Sequence, residues 1–315
     1  VAIEEQRITS FSESRSQFGP SNGSSDAART TRSAYTQLLG DPLENVSFSS
    51  GLRVDDSDRF GTFVTYRIGA ALRLATGTRF RATVATGFKE PTFFENFATG
   101  FAVGNPDLDP ERSASFEAGV EQSLWSGVAR VDVAAFHQTF KDLVQFTFAP
   151  PNPGDPNYFN VAEARSRGIE MGLNIRPSTS FRAVLDLSYT DTEVIDAGFD
   201  AGDPDAAFAQ GERLLRRPEF AGALAFEYTV GVVTVGERTS FVGDRIDRDF
   251  STFPARRVTL DAYQLLDVYA RVALTKPLPG SVLLRLDNAL DKDYEQVLGF
   301  PARGRTLTVG VETRF

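Results

Sequence analysis

His137 is the only histidine in the 315 residues, and the chain contains no cysteine. The lack of cysteine rules out a thiolate nucleophile and a disulfide, and a lone histidine makes a histidine-based triad or a multi-histidine metal site nearly impossible. What remains for site chemistry is oxygen. Asp55, Asp56 and Asp58 stand in one short acidic stretch, the residue type and spacing that could offer a Ca2+ ion several oxygen ligands. Three acids in a brief turn are more readily read as solvated, and the same holds for Gly202-Asp203-Pro204-Asp205. No phosphate-cradling loop, zinc motif or nucleophile elbow occurs. The expectation is a protein that is not an enzyme and needs no cofactor.

The remaining candidates are aromatic or charged. Phe93, Phe94, Phe97 and Phe101 crowd one segment. Rigid rings give contact area at low entropic cost, so such a cluster could receive a large amphipathic ligand; packing between loops explains it equally well. Tyr158, Phe159, Phe250, Phe253, Tyr294 and Phe300 fall in other non-periodic segments, where packing is the simpler reading. Arg79, Arg81, Glu117, Glu170 and Arg176 all fall on the polar side of alternating segments, where carboxylates and guanidinium groups are expected to pair.

Those alternating segments must position the candidates. Ile169, Met171, Leu173 and Ile175 alternate with Glu170, Gly172, Asn174 and Arg176. Phe181, Ala183, Leu185, Leu187 and Tyr189 repeat the pattern against Arg182, Asp186, Ser188 and Thr190. Period two over many segments predicts strands with one apolar and one polar face. Turn residues divide the chain into about fourteen strands, over 1–10, 27–39, 45–55, 60–74, 78–88, 113–124, 128–147, 160–176, 179–194, 214–229, 232–246, 258–274, 280–290 and 304–315. No convincing amphipathic helix is visible.

Short turns near Asp41-Pro42, 75–77, 126–127, 177–178, 230–231 and 277–280 alternate with long loops at 11–26, 89–112, 148–159, 195–213, 247–257 and 291–303. The acidic turn at 55–58 is the one short member of the second set. This parity is that of an outer-membrane barrel, with short periplasmic turns and long extracellular loops. A mean hydropathy of -0.21 leaves no apolar run long enough for a membrane helix, but alternating strands keep hydropathy moderate even in lipid. The net charge of -9 argues against a nucleic-acid partner. Val1 opens directly in a charged alternating segment, so no signal peptide is expected and the chain reads as mature or truncated.

Three stretches, in order along the chain, resemble TonB-dependent receptors. The first is Thr86-Gly87-Phe88-Lys89-Glu90-Pro91-Thr92 with Gly104-Asn105-Pro106-Asp107-Leu108-Asp109-Pro110-Glu111, followed by Ser115, Glu117 and Gly119. The second is Asn160-Val161 with Gly168-Ile169-Glu170. The third is Asp287-Asn288-Ala289-Leu290-Asp291-Lys292-Asp293-Tyr294, then Gly304-Arg305 and a last strand ending on Phe315. Ala289-Leu290 stands where the family often has Leu-Phe.

The resemblance implies an all-β fold, a transmembrane antiparallel up-and-down β-barrel of roughly 22 strands. About fourteen are expected in residues 1–315, with the plug domain and TonB box absent. It further implies outer-membrane lipids, the barrel assembly machinery (reading Phe315 as its signal), the plug of the full-length protein and, through the plug, the TonB complex as partners. The implied role is active uptake of a scarce large nutrient across the outer membrane of a Gram-negative bacterium. The closing stretch 293–305 looks most like cobalamin receptors, with a ferric siderophore as the alternative. A small passive porin-like or structural barrel is the reading from a different class.

Overall fold

A computed structural model describes residues 2–10, 14–16, 19–21, 27–99, 102–147, 150, 152, 154–198, 209–249, 251–252, 255–274 and 279–313. Phe101, Phe250, Phe253, Phe315 and the Gly202–Asp205 turn lie outside them. Fourteen strands form one sheet. They are β1 (Ala2–Ser10), β2 (Ala27–Leu43), β3 (Val46–Ser57), β4 (Gly61–Arg73) and β5 (Thr78–Lys89). Then follow β6 (Glu111–Leu124), β7 (Ala129–Phe146), β8 (Tyr158–Ile175), β9 (Phe181–Asp196) and β10 (Phe220–Val230). The last four are β11 (Val233–Val242), β12 (Tyr263–Leu274), β13 (Gly280–Asp287) and β14 (Thr306–Thr313). Each pairs antiparallel with its sequence neighbours. Among the described residues β1 pairs only with β2 and β14 only with β13, so this wall does not close on itself.

The apolar residues of successive strands are in register. Val84 faces Phe116, Met171 faces Leu187, Leu185 faces Leu224, and Leu284 faces Val309. Together they make one continuous apolar face, and it is bare: Leu52, Ile68, Phe116, Ile169, Leu187 and Val309 are each more than two-fifths exposed. Soluble proteins do not leave so large an apolar surface in water, whereas a lipid-facing wall must. No described helix is long and apolar enough to cross a membrane, which says nothing against crossing by strands.

β7 and β8 have 18 residues each and β9 has 16, well beyond the roughly 9–11 that cross a bilayer at a tilt. The surplus lies at the long-loop end, where the apolar face turns charged. Arg167 pairs with Asp191 at 2.8 Å, Lys141 with Glu163 at 3.7 Å, and Arg165 with Glu193. These cross-strand pairs mark where the wall leaves the apolar zone. His137 sits at that boundary, in register between Phe116 and Arg167.

Several boundaries differ from the sequence reading. β2 continues through Asp41 and Pro42, which fall at a register shift between Gly40 and Leu43, and the turn comes at Glu44-Asn45. A bulge is one of the few strand sites that tolerates proline. Residues 214–219 lead into β10 without joining it. Arg245–Asp249 and Arg256–Leu260 form a separate hairpin beyond the main sheet. The segment Phe93–Phe97 is one turn of helix, α1, where no helix was expected. Its start carries a reciprocal cap: the Glu95 amide donates to the Thr92 hydroxyl at 3.2 Å and the Thr92 amide to the Glu95 carboxylate at 2.6 Å.

Candidate functional site

The acidic stretch does not form a metal site. Asp55 and Asp56 belong to β3 and alternate across it, so they cannot converge on one ion. Asp55 is 2% exposed. Its carboxylate accepts the Ser33 hydroxyl at 2.5 Å and the Arg53 guanidinium at 2.9 Å. Asp56 accepts from the Thr62 hydroxyl, and the Asp58 amide donates to the Thr30 carbonyl. Among the described residues no group of three acidic or histidine side chains could hold a metal.

On the polar face, Arg81 joins two carboxylates. It is bonded to Asp132, with one contact at 2.9 Å, and lies 3.4 Å from Glu117. Asp132 is on β7, two strands from Arg81, and Gly119 of β6 makes the crossing possible. A Cβ at Gly119 would lie 3.0 Å from the Arg81 guanidinium carbon. Arg79 faces Glu121 on β6, itself in register with Asp132. Glu170 lies opposite Ala134 and Ser188, small neighbours that leave it exposed. Arg176 follows the end of β8 at the short-turn end, where its amide bonds the Val128 carbonyl. Six residues of strand put it roughly 20 Å from Glu170, so the structure does not bring the two together. Gly168 has its own reason: a Cβ there would lie 2.1 Å from the Tyr189 carbonyl oxygen and 2.7 Å from the Phe136 ring.

At the long-loop end the side chains assemble into two clusters. The first surrounds α1. Arg29, 9% exposed, pairs with Glu90 at 2.7 Å, donates to the Pro91 carbonyl at 2.9 Å and lies over the Phe60 and Phe93 rings. Arg59 covers Phe97 and reaches the Pro106 carbonyl. Phe93 is thus buried and serves the loop's own packing, and Phe97 is half-buried beneath Arg59. Phe94 is 55% exposed, edge-on to Tyr158, and is the described ring of this group best placed to meet a ligand.

Asparagines close the first cluster. Asn160 accepts from the Asp109 amide at 2.8 Å and donates to the Asp109 and Asp142 carbonyls at 2.9 and 2.6 Å. Asn157 accepts from the Val103 amide, and Asn105 donates to the Tyr158 carbonyl. An asparagine can bond a peptide N–H and C=O at once, so it stands in for a missing strand partner. Gly104 is pressed on α1, where a Cβ would lie 2.5 Å from the Phe97 amide nitrogen.

The second cluster centres on Asp247, which the sequence did not single out. It is fully buried and accepts from Arg216 at 2.8 Å, from its neighbour's amide (Arg248) at 2.8 Å and from the Leu298 amide at 2.9 Å. It therefore ties three loops together. Burial alone would push its carboxyl up, but the Leu298, Arg216 and Arg248 donors outweigh that and hold it below the ordinary carboxylate range. Arg245 lies over the Tyr263 ring, which itself meets the Tyr294 ring at 4.4 Å and a tilt of 35°. Nearby, Asn288 and Asp291 adopt φ of 48° and 55°. Asn288 brackets the amide and carbonyl of Lys292, and Asp291 holds Arg305. The stretches 104–111, 160–170 and 287–305 are thus built around backbone clamps.

A wall of paired meander strands, bare and apolar on one face and with tied loops at one end among the described residues, matches known proteins. The family described as "TonB dependent receptor-like, beta-barrel" matches residues 6–289. The vitamin B12 transporter BtuB of Vibrio cholerae is 26% identical over 274 residues, covering 84% of this chain and 39% of that protein. The ferripyoverdine receptor of the Pseudomonas aeruginosa outer membrane superposes with a TM-score of 0.71 at 18% identity, over 94% of this chain and 40% of that one. The copper transporter OprC gives 0.71 at 16%, over 96% and 53%. The chain thus spans well under two thirds of the length of each of these proteins. With 284 consecutive residues inside the family match, the chain belongs to the TonB-dependent receptor-like β-barrel family.

Proposed function

We propose that this chain is barrel wall of an outer-membrane receptor that takes up a scarce, large nutrient of the cobalamin or ferric-siderophore class. Its apolar face lies against the lipid of a Gram-negative outer membrane, and its polar face lines the lumen. A plug domain of the same full-length protein fills that lumen and couples it to TonB, and the barrel assembly machinery inserts the wall, reading Phe315. The loop clusters form the outer landing surface, on which Phe94, Phe97 and Phe101 contact the ligand.

One observation carries this reading. Among the described residues, long loops at one end are bound to each other by buried side chains, and the opposite end shows short turns. A passive pore does not need such a superstructure, and loops without function are usually short. The unclosed wall likewise speaks against a complete fourteen-strand porin.

The test is uptake by cells carrying the intact receptor as their sole route for the nutrient. Transport should vanish when TonB is deleted. It should fall about tenfold at limiting nutrient in a Phe94→Ser, Phe97→Ser, Phe101→Ser variant that still assembles, as judged by heat-modifiable gel migration. Uptake that persists without TonB contradicts the energised reading, and uptake unchanged in an assembled triple variant removes the aromatic landing surface.

A further inference from the structure

One charged side chain stands within the apolar face of the last strands. Glu237 is the fifth of the ten residues of β11. It lies in register with Phe226 of β10 and Val268 of β12, both on the apolar face. Parity therefore turns its carboxylate toward lipid, away from the side of the sheet that carries Arg238. No other charged residue shares that face on β10 to β13. Among the described residues its one hydrogen bond comes from its own strand, where the Thr239 hydroxyl donates to it at 3.1 Å. An ionisable group among lipid-facing side chains is costly, and such groups are rare inside the bilayer except where they meet a partner.

Two shallow recesses meet at this pair. One of about 570 Å³ holds Glu237 and extends to Tyr228 and Ala270 on the short-turn side. The other, about 760 Å³, holds Thr239 and extends to Phe220 and Gln264 on the long-loop side. The trough they form thus runs along the strands from one end of the wall toward the other. A lipid lies in one leaflet, so an occupant that follows the whole trough must itself span the membrane. A two-fold contact between copies does not supply the missing cation. Copies of one orientation are related by an axis along the membrane normal, so such a contact here would set Glu237 against Glu237.

Resting on the membrane placement proposed above, we infer that this trough seats a transmembrane segment of another protein, one that presents a Lys or Arg at the depth of Glu237. The apolar side chains on either flank contact the segment. Glu237, held by Thr239, receives the cation in a charge-assisted hydrogen bond that hydrocarbon chains do not offer.

Resonance energy transfer in vesicles carrying the intact receptor tests this. The probe is a synthetic Leu-Ala helix of about 20 residues with one central Lys and an acceptor dye. The donor dye sits on Val232→Cys, in the short turn below β11, or on Thr76→Cys, in the turn between β4 and β5, as the control for chance proximity. Transfer to the Lys helix should be about threefold greater from Val232→Cys than from Thr76→Cys. A helix with Leu in place of the Lys should show no such preference. Glu237→Gln, which keeps the side chain's size, should weaken association of the Lys helix about tenfold. Equal transfer from both labels, or association unchanged by Glu237→Gln, overturns the site. Equal preference of both helices overturns it too, marking the trough as ordinary lipid-facing wall. Transfer between receptors labelled at Val232→Cys, above chance and lost in Glu237→Gln, identifies a second copy as the occupant and overturns the cationic partner. A spin label at Ile68 on β4, away from the trough, separates the two readings: oxygen access there with no docking removes only the site, and no oxygen access removes the membrane placement itself.

Discussion

Between residues 102–110 beside α1 and residues 157–160, the links run through neutral amides: Asn105, Asn157 and Asn160 each bond backbone of the other segment. Around Asp247 a single buried carboxylate performs the corresponding task for three loops. An amide bonds a peptide from either side and keeps its hydrogen bonds at any pH. A buried carboxylate gathers several donors at one point, and loses them together if it is removed or protonated. The first cluster is thus a distributed clamp and the second a keystone.

Removing the keystone should have the largest effect. Asp247→Ala strips the partner from Arg216 and from two amides. Breaking a buried pair by removing one member costs roughly 3–5 kcal/mol, and the 40% exposure of Arg216 lets water recover part of it, so about 3 kcal/mol of local stability is expected to go. Hydrogen exchange at the Leu298 and Arg248 amides should speed up by about two orders of magnitude, with the Val103 and Asp109 amides unaffected. If the α1 cluster loosens equally, the two regions are not separable.

Asn160→Ala should act more mildly. It leaves the Asp109 amide and carbonyl unpaired in a partly wet setting, at a cost of about 1–3 kcal/mol. Faster exchange confined to residues 102–110 is the expected result, and protection retained there would show that the proline-stiffened loop holds itself. Asn160→Asp, which keeps the acceptor but loses the donor, should fall between.

Acid should separate the clusters with the smallest effect. The Asp247 carboxyl is held below its ordinary range in the folded loops. Its contribution is therefore fully present above the released-loop value of about 3.9 and is lost as pH falls through the lower folded value. Exchange at Leu298, corrected for intrinsic rates, should begin to rise below about pH 4, while exchange at Asp109 does not follow. Parallel curves at the two amides would contradict a titrating keystone.

Much of this was legible in the sequence because period two survives in most wall strands, although β11 interrupts it by setting Glu237 and Thr239 in register with Phe226 and Leu224. All fourteen expected strands are present, and Ile169 against Glu170 or Leu187 against Asp186 already separates the two faces. The pairing of Arg81 with Glu117 could be foreseen from parity, but not the reach over Gly119 to Asp132, which depends on a glycine in the intervening strand. α1 was missed although Thr92-x-x-Glu95 is a capping signal, since five residues give no helical period to read. Asp55 looked like a solvated turn because nothing local announces Ser33, 22 positions earlier. Asp247 was invisible for the same reason: its partners lie 31 and 51 residues away. Strand patterns are local in sequence, whereas the loop contacts that shape a site are not.

The central claim is that the bare apolar face meets lipid and the polar face lines a lumen. Spin labels placed singly at Leu185, Asp186, Leu187 and Ser188 of β9 in the reconstituted receptor test it most directly, by collision with oxygen from the lipid and with a water-soluble nickel complex. The account predicts alternation along the strand, with Leu185 and Leu187 accessible to oxygen and Asp186 and Ser188 favouring the aqueous lumen side. Equal accessibility at all four sites, or alternation in the opposite phase, would contradict it.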